Sequence, residues 1–394
     1  MPAAIAPPSV DAVRDALRGV IDPELGSDVV DLGMIRSVAV DPDGPVVVTL
    51  ALTTAGCPLR AQLQRDVKAR VGSLPGVTDV KLEWDEMTTE ERKRAMERAR
   101  FNIAQRDENT SVAPTTKVVA ISSGKGGVGK SSVTVNLAAA LAARGLAVGI
   151  LDADIWGFSV PRMIGVDERL GARADGGRKW IVPAEKKIGD GILRVASMGL
   201  LADEKEALMW RGLILNRAVQ HFLQDVDWGD DLAYLLLDMP PGTGDVQMGV
   251  AKLVPRTEVV VVTTPALAAQ AVATRAVSMA RKNYLRVAGV IENMSAFTCE
   301  HGETYSLFGE GGGDALAADA GAPLLGRIPL ETAVGTGGDT GKPVVLGDTP
   351  AARAFAAIAE RVVTEAIPPV DLSSCSAHLF DGPQPVTLKR RPKN

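Results

Sequence analysis

Cysteines are scarce in this sequence, and the three present, Cys57, Cys299 and Cys375, are far apart. Such separated thiols cannot build a disulfide framework, and they suit a reducing compartment. The opening residues lack the basic segment of a secretory signal, and no apolar run is long enough to span a membrane. We therefore expect a cytoplasmic protein with no membrane partner.

A dominant charge is also missing, since 43 lysines and arginines face 48 acidic residues for a net charge of −5. This balance gives no support for nucleic-acid binding as the main activity. Hydrophobic residues make up 46% of the chain and charged residues 23%, as in ordinary globular proteins. With 394 residues, the chain can form two or three domains with a substantial core.

A glycine-rich loop between an apolar run (117–121) and an Ala/Leu-rich segment (132–143) is the most informative feature present. It satisfies the pattern G-x-x-x-x-G-K-[ST], and its residues are Gly124, Lys125, Gly126, Gly127, Val128, Gly129, Lys130, Ser131 and Ser132. In such a loop the backbone N–H groups surround phosphates, the second lysine reaches the β/γ oxygens, and the serine hydroxyl binds Mg²⁺. The flanking strand and helix predict an ATP–Mg²⁺ site rather than the alternative, a glycine-rich surface turn.

Acidic residues follow two later apolar runs. Asp152 and Asp154 come after the run 148–151, and Asp238 ends the run 235–237 in the manner of a Walker B aspartate. Carboxylates at the carboxyl ends of parallel strands point into the ligand crevice. We expect one of the first pair to hold Mg²⁺ through water and the other to orient the attacking water. The pattern alone leaves open which of the two takes which role, and a simple Asx turn is the alternative.

Two further residues complete the predicted nucleotide site. Gly242 lies shortly after the Walker B aspartate and could offer its backbone N–H to the γ-phosphate. Asn293 follows the apolar run 287–291, and its amide could pair with the N6/N7 edge of adenine. A loop-capping role is the alternative for Asn293.

Apolar strands alternate with helical segments over residues 117–366, which predicts an α/β fold, a P-loop NTPase whose mostly parallel sheet is covered by helices. Within it, the Gly-, Lys- and Asp-rich stretch 156–190 is expected to lie outside the core. The order helix, strand, strand, helix, strand predicts a small α+β domain before it. We expect the following parts: the small domain (1–86), a charged helix from 88 to 100 with a polar linker from 101 (87–116), the ATPase domain (117–366) and a loose tail (367–394).

Lys125 places a charge directly after the first glycine, too near the start of the loop to fold onto its own γ-phosphate. In a face-to-face dimer it could reach the neighbour's nucleotide and neutralise charge in the transition state, whereas the alternative is a solvated lysine. The sequence GKGGVGKS resembles the deviant P-loop of the ATPase class that includes MinD, ParA and nitrogenase iron protein. The resemblance implies a homodimer in which Lys125 takes the catalytic role. It also implies that Asp154 orients the attacking water, although Asp152 and Asp154 could exchange roles.

Cys57 lies immediately before Pro58, and proline favours the first position of a helix. A helix N-terminus would lower the pKa of the thiol and favour nucleophilic or metal-binding chemistry, whereas the alternative is a small buried hydrophobe. The segments DPEL (22–25), VDLG (30–33) and LTTAGCP (52–58) resemble the small domain of iron–sulfur assembly proteins related to PaaD and SufT. This resemblance implies a role in cluster delivery.

The segments DMPPGTGD (238–245), WRG (210–212), ENMS (292–295) and FGEGGG (308–313) resemble the Mrp/ApbC family. The resemblance implies a cytoplasmic homodimeric ATPase that binds iron–sulfur clusters and passes them to apoproteins. Family members carry Cys-x-x-Cys soon after ENMS, but here the stretch is Cys299-Glu300-His301-Gly302. His301 could replace the missing thiol as a nitrogen ligand, or Cys57 or Cys375 could complete the set, or no cluster binds at Cys299.

Two other functions compete with cluster transfer. A positioning ATPase resembling MinD or ParA needs a terminal amphipathic helix or a basic surface. Residues 371–394 have no periodic apolar face and the net charge is negative, which argues against it. The second competitor is a scaffold that binds nucleotide but scarcely hydrolyses it.

Overall fold

A small three-stranded sheet and a large eight-stranded sheet organise the chain. The computed structural model describes residues 6–22, 25–53, 59–154, 157–175, 178–200, 212–242 and 245–369.

The three-stranded sheet belongs to the amino-terminal unit. Its elements are α1 (Val10–Leu17), β1 (Ile21–Asp22), β2 (Ser27–Asp28), β3 (Ile35–Val40), β4 (Pro45–Leu52), α2 (Arg60–Gly72) and β5 (Asp79–Glu86). Ser9 caps α1 by accepting a hydrogen bond from the Ala12 N–H at 3.1 Å, as predicted. Strand β4 pairs antiparallel with β3 and parallel with β5, because α2 provides the crossover between β4 and β5. The predicted order of elements is confirmed, with the two-residue strands β1 and β2 added.

Helix α3 (Thr89–Asn109) is longer than the sequence pattern predicted. The capping box at its start is present: the Thr88 N–H donates to the Glu91 carboxylate at 2.9 Å, and the Glu91 N–H donates to the Thr88 hydroxyl at 3.3 Å. The prediction of a polar linker from 101 is wrong for residues 101–109, which continue the helix because no glycine or proline interrupts them, whereas residues 110–116 lie outside any helix or strand. Arg98 and Asn102 also hold the helix against Asp31 of the amino-terminal unit, at 2.7 and 2.6 Å.

The large sheet has the strand order β10-β11-β7-β12-β6-β13-β14-β17, and all its neighbours are parallel except β10 and β11. The elements from β6 onwards are β6 (Lys117–Ser123), α4 (Lys130–Ala143), β7 (Ala147–Asp152), α5 (Val160–Ile164), β8 (Gly171–Asp175), β9 (Arg178–Val182), β10 (Ala184–Ile188), β11 (Gly191–Ser197), α6 (Gly212–Asp225), β12 (Tyr234–Asp238), α7 (Asp245–Leu253), β13 (Glu258–Thr263), α8 (Leu267–Lys282), β14 (Arg286–Asn293), β15 (Phe297–Thr298), β16 (Thr304–Tyr305), α9 (Gly312–Ala320), β17 (Leu324–Ile328), α10 (Thr332–Asp339) and α11 (Pro350–Arg361). Single 3₁₀ turns occur at Met198–Leu200 and Val344–Leu346, and a π-helical turn follows at Val362–Ala366.

The sheet separates two hydrophobic cores, one on each face. Strands β12 and β13 are buried along their whole length, which explains why they appear as continuous apolar runs rather than alternating ones. The predicted α/β fold, with a mostly parallel sheet between helical layers, is confirmed.

The stretch 156–190 corrects one expectation. Strands β8 and β9 form a hairpin outside the large sheet, and β8 is exposed throughout, as expected for an excursion. Strand β10 instead pairs with β11 at the edge of the large sheet and buries Ala184 and Ile188 in the core. Its charged residues hid this role, because an edge strand needs few apolar positions.

The two sheets are joined through Arg70 of α2. Its guanidinium is buried and forms an ion pair of 3.0 Å with Glu258, the first residue of β13, and it also donates to the Arg256 carbonyl. Glu258 pairs in turn with Arg286 at 3.2 Å. The amino-terminal unit therefore contacts the amino ends of the parallel strands, the opposite edge from the glycine-rich loop.

Among the residues that the structure describes, no helix combines the length and the apolar character needed to cross a bilayer.

Candidate nucleotide site and cysteine hairpin

The glycine-rich loop joins the carboxyl end of β6 to the amino end of α4. Gly127 and Gly129 have left-handed backbone φ angles of 81° and 79°, which L-residues with side chains rarely adopt. A Cβ atom at Gly124 would collide with the backbone of α8 at Val272 and Ala273. These positions need glycine for conformation or for space, and the loop presents the α4 N-terminus to a ligand.

A buried hydrogen-bond network lies directly behind the loop and centres on Asp238. The carboxylate accepts from the Lys130 ammonium at 2.6 Å, from the Ser131 hydroxyl at 2.6 Å and from the Thr134 hydroxyl at 2.8 Å. A lysine, a serine hydroxyl and a buried carboxylate at this spacing fit a magnesium–triphosphate ligand. Thr134 was missed by sequence reasoning, although it lies one helical turn after Lys130.

Asp152 lies beside Asp238 because β7 and β12 are neighbours with these residues in register. Burial and, to a lesser extent, the negative charge of Asp238 raise the pKa of Asp152 to about 7, although the positive charge of Lys130 acts to lower it. Ser197, at the end of β11, donates to Asp152 at 3.1 Å. Sequence reasoning missed Ser197, since only the pairing of β11 with β7 brings the two together.

Asp154 lies just beyond the end of β7 and is half-buried, so it is more accessible than Asp152. Burial is also the main cause that raises the pKa of Asp154. Its backbone N–H donates to Asp152 at 3.2 Å. This accessibility suits the water-orienting role predicted for Asp154, which stays a prediction.

Gly242 has a left-handed φ of 94°, and its N–H donates to the Ser123 carbonyl at 3.3 Å. The Gln247 side chain donates to the Gly242 carbonyl at 3.0 Å and to the Ser122 hydroxyl at 2.9 Å. The N–H predicted to contact a γ-phosphate is therefore bonded within the protein in this structure. Sequence reasoning did not single out Gln247.

Asn293 lies beneath the loop rather than at an open edge. It is buried, and its amide donates to the Val128 carbonyl at 2.9 Å. A Cβ atom at Gly129 would collide with the same amide nitrogen. This geometry favours the loop-supporting alternative, and recognition of adenine by Asn293 stays a prediction.

Lys125 is exposed at the start of the loop, where the Ser123 hydroxyl donates to its backbone carbonyl at 3.1 Å. An exposed lysine at the start of the phosphate loop is accessible to a neighbouring copy of the chain. Its action on a partner's nucleotide stays a prediction.

Strands β15 and β16 form a short hairpin whose turn contains Cys299 and His301. The Cys299 N–H donates to the Glu303 carbonyl at 2.9 Å, and Gly302 has a left-handed φ of 85°. Cys299 is half-buried and His301 is exposed. A second cysteine at 302 would have to adopt a backbone conformation that favours glycine.

Within the described part of the chain, no three His, Cys, Asp or Glu side chains lie close enough together to hold a metal ion. Cys299 is half-buried and free. Cys57, Cys375 and the first two residues of WRG lie outside the described residues, as do Thr243 and Gly244. The described part of one chain thus offers one thiol, which does not by itself fit a cluster.

The loop, the buried lysine and the strand-end carboxylates on a parallel sheet define a P-loop NTPase. Residues 114–363 match the family model ParA, described as NUBPL iron-transfer P-loop NTPase, and residues 10–84 match a model described as iron-sulfur cluster assembly protein. The chain belongs to the family of NUBPL-type iron-transfer P-loop NTPases. The predicted resemblance is confirmed.

Curated relatives agree with this assignment. The iron-sulfur cluster carrier protein of Mycobacterium tuberculosis is 45% identical over 350 residues, covering 85% of this chain and 87% of the relative. A protein of the same name from Synechocystis is 40% identical and covers 90% of this chain and 97% of the relative. A nucleotide-binding protein from Archaeoglobus fulgidus, solved in complex with ADP, is 33% identical, with a TM-score of 0.51, covering 62% of this chain and 91% of that structure.

Proposed function

We propose that this protein is a cytoplasmic, homodimeric ATPase that carries iron–sulfur clusters and transfers them to apoproteins. The observation that carries the proposal is the combination, on one sheet edge, of a P-loop site and a hairpin that holds a half-buried free thiol. Membership of the iron-transfer family supports it over a positioning ATPase or a nucleotide-binding scaffold. The cluster is cargo in this proposal, and ATP is the source of the change between holding and releasing it.

Each residue of the nucleotide site has a separate role in this proposal. Lys130 neutralises charge on the β and γ oxygens, and Ser131 binds Mg²⁺. Asp238 supports that ion indirectly, because it accepts a hydrogen bond from the Ser131 hydroxyl. Asp154 positions the attacking water. Lys125 completes the site of the other subunit. When a γ-phosphate binds, the Gly242 N–H exchanges its hydrogen bond to the Ser123 carbonyl for one to the phosphate.

Cluster binding requires a second copy in this proposal, because the described part of one chain supplies a single thiol. Two copies of Cys299 would contribute two thiolates, and two copies of His301 would contribute nitrogen ligands. Cys57 or Cys375 supplies the remaining ligands if His301 does not.

We also propose the boundaries 1–86, 87–116, 117–366 and 367–394 for the parts of the chain. The separate hydrophobic core of the amino-terminal unit supports the first of these.

Anaerobic reconstitution with iron and sulfide tests cluster binding. Wild type should take up iron and show charge-transfer absorbance, and Cys299→Ala and His301→Ala should each lower both. Glu300→Ala is the matched control, since Glu300 is an exposed neighbour in the same turn. Equal iron in all four proteins would move the ligands away from this hairpin.

Mixing two inactive variants tests the action of Lys125 on the partner subunit. We expect Lys125→Ala and Lys130→Ala each to lack turnover when purified alone. In a mixed dimer, the site that keeps Lys130 receives Lys125 from the other subunit, so hydrolysis should return in part. No recovery on mixing would show that Lys125 does not act across an interface. Phosphate release near background from wild type that binds ATP would favour the scaffold hypothesis instead.

A further inference from the structure

Three consecutive residues, Glu292 to Met294, connect the phosphate loop with the segment that carries Cys299. On the loop side, Asn293 donates to the Val128 carbonyl at 2.9 Å. The terminal methyl of Met294 lies 3.6 Å from the place that a Cβ of Gly129 would occupy. The end of β14 thus contacts the turn of the P-loop through two adjacent side chains.

The backbone at this contact is in an unusual conformation. Met294 has a φ of 56°, in the left-handed region, where a residue with a side chain is strained. Among the described residues, the only other non-glycine residue with positive φ is Tyr284, also at 56°. Tyr284 follows α8 at the opposite end of β14, where such a conformation is an ordinary helix ending. Met294 instead directs the chain away from the loop and towards the hairpin.

Glu292 fixes the other end of the hairpin segment. Its buried carboxylate accepts from the Gly313 N–H in the first turn of α9 at 2.6 Å and pairs with Arg327 at 3.3 Å. A Cβ atom at Gly313 would come within 2.8 Å of Glu292, so the two elements are in close contact. The segment from 295 to 311, which contains the hairpin, therefore starts directly after Met294 and ends next to Glu292 in space.

We propose that Glu292, Asn293 and Met294 form a joint that couples nucleotide occupancy of the P-loop to the exposure of Cys299. The Val128 carbonyl belongs to a loop whose N–H groups turn towards phosphates when a nucleotide binds. Any rotation of that peptide changes the acceptor of Asn293, and the strained backbone at Met294 passes the change to the hairpin. The inference rests on the proposed function, because it gives the nucleotide a physical route to the cluster-bearing thiol.

The test is the alkylation rate of Cys299 by iodoacetamide in the full-length protein, resolved by peptide mass spectrometry so that Cys57 and Cys375 do not interfere. Rates are compared without nucleotide and with saturating Mg-ADP, and nucleotide binding is measured on the same samples. Coupling between two sites typically corresponds to a change of about fivefold or more, so we expect the wild-type rate to change by at least about that factor.

Variants of the joint should bring the ratio of the two rates close to one. Met294→Gly releases the left-handed strain, and Asn293→Ala removes the contact with Val128. Tyr284→Gly is the matched control, since it also introduces glycine at a φ of 56° but away from the P-loop, and it should keep the wild-type ratio. Glu292→Gln, which weakens the hydrogen bond from the Gly313 N–H of α9, should also bring the ratio closer to one.

The outcomes separate the two proposals. If wild type binds Mg-ADP and the alkylation rate of Cys299 does not change, the coupling is overturned but the proposed function is unaffected. Full wild-type ratios in both Met294→Gly and Glu292→Gln also overturn it, because the change in rate would then have another cause, such as pairing of two copies. Wild type that binds no nucleotide overturns the proposed function and the coupling together. If Asn293→Ala itself loses nucleotide binding, Met294→Gly and Glu292→Gln decide the result.

Discussion

The contact between Arg70 and Glu258 is expected to be the main attachment of the amino-terminal unit to the large sheet. Arg70 is 4% exposed, and its guanidinium bonds to the Glu258 carboxylate and to the backbone carbonyl of Arg256. Gly19 lies against the same guanidinium so closely that a Cβ atom there would collide with it. Removing Arg70 leaves a buried carboxylate with one fewer cationic partner.

The size of the effect follows from that arrangement. Removing one partner of a buried ion pair costs about 3–5 kcal/mol. Arg286 still pairs with Glu258 at 3.2 Å, so we expect Arg70→Met to lie near the lower limit, about 3 kcal/mol. Replacing both partners, Arg70→Met with Glu258→Met, should cost much less than the sum of the two single changes, because no unpaired charge remains from that pair.

Urea unfolding of the full chain measures these free energies, with fluorescence as the probe. Arg18→Met is the matched control, since Arg18 forms a surface pair of 3.5 Å with Asp15 and both side chains are largely exposed. That change should stay within about 0.5 kcal/mol of wild type. A cost below about 1 kcal/mol for Arg70→Met, or simple additivity in the double variant, would refute the view that this buried pair is the attachment.

Three further predictions concern the nucleotide site. Lys130→Ala should abolish ATP hydrolysis, because it removes the cation at the β/γ oxygens and leaves Asp238 buried, and undiminished phosphate release would contradict the site. Gly124→Ala should weaken nucleotide binding, since its Cβ would collide with the backbone of α8, and a titration showing wild-type affinity would exclude that constraint. For Asp152, the folded pKa of about 7 lies above the ordinary 3.8, so the folded state binds more protons between these values and stability should fall as pH rises through this window. Asp152→Asn should flatten the dependence of the unfolding free energy on pH between 5 and 8 in the absence of nucleotide, and an unchanged slope would show that Asp152 is not its source.

Much of the nucleotide site could be predicted from the sequence because its chemistry is local. The loop from Gly124 to Ser131 specifies glycines, a lysine and a hydroxyl at fixed spacing, and backbone geometry alone places them around a phosphate. Asp152 and Asp238 were also predictable, since each ends a continuous apolar run, and parallel strands bring their carboxyl ends to one edge.

The supporting residues could not be predicted in this way. Thr134, Ser197 and Gln247 are ordinary polar residues in the sequence, and their partners lie 104, 45 and 125 residues away. The position of Asn293 beneath the loop, rather than open to a base, likewise required β14 to lie in its place in the sheet.

Local residue patterns predict the central strands of the large sheet, the glycine-rich loop and the family that the motifs resemble, because periodicity and spacing act over a few residues. Three relations become visible in the folded chain alone: charged β10 completes the edge of the sheet, Arg70 joins the two units, and Glu292 to Met294 lie between the P-loop and the cysteine hairpin. These relations depend on the order of the strands, which is set by packing across both faces of the sheet and leaves no local pattern in the chain.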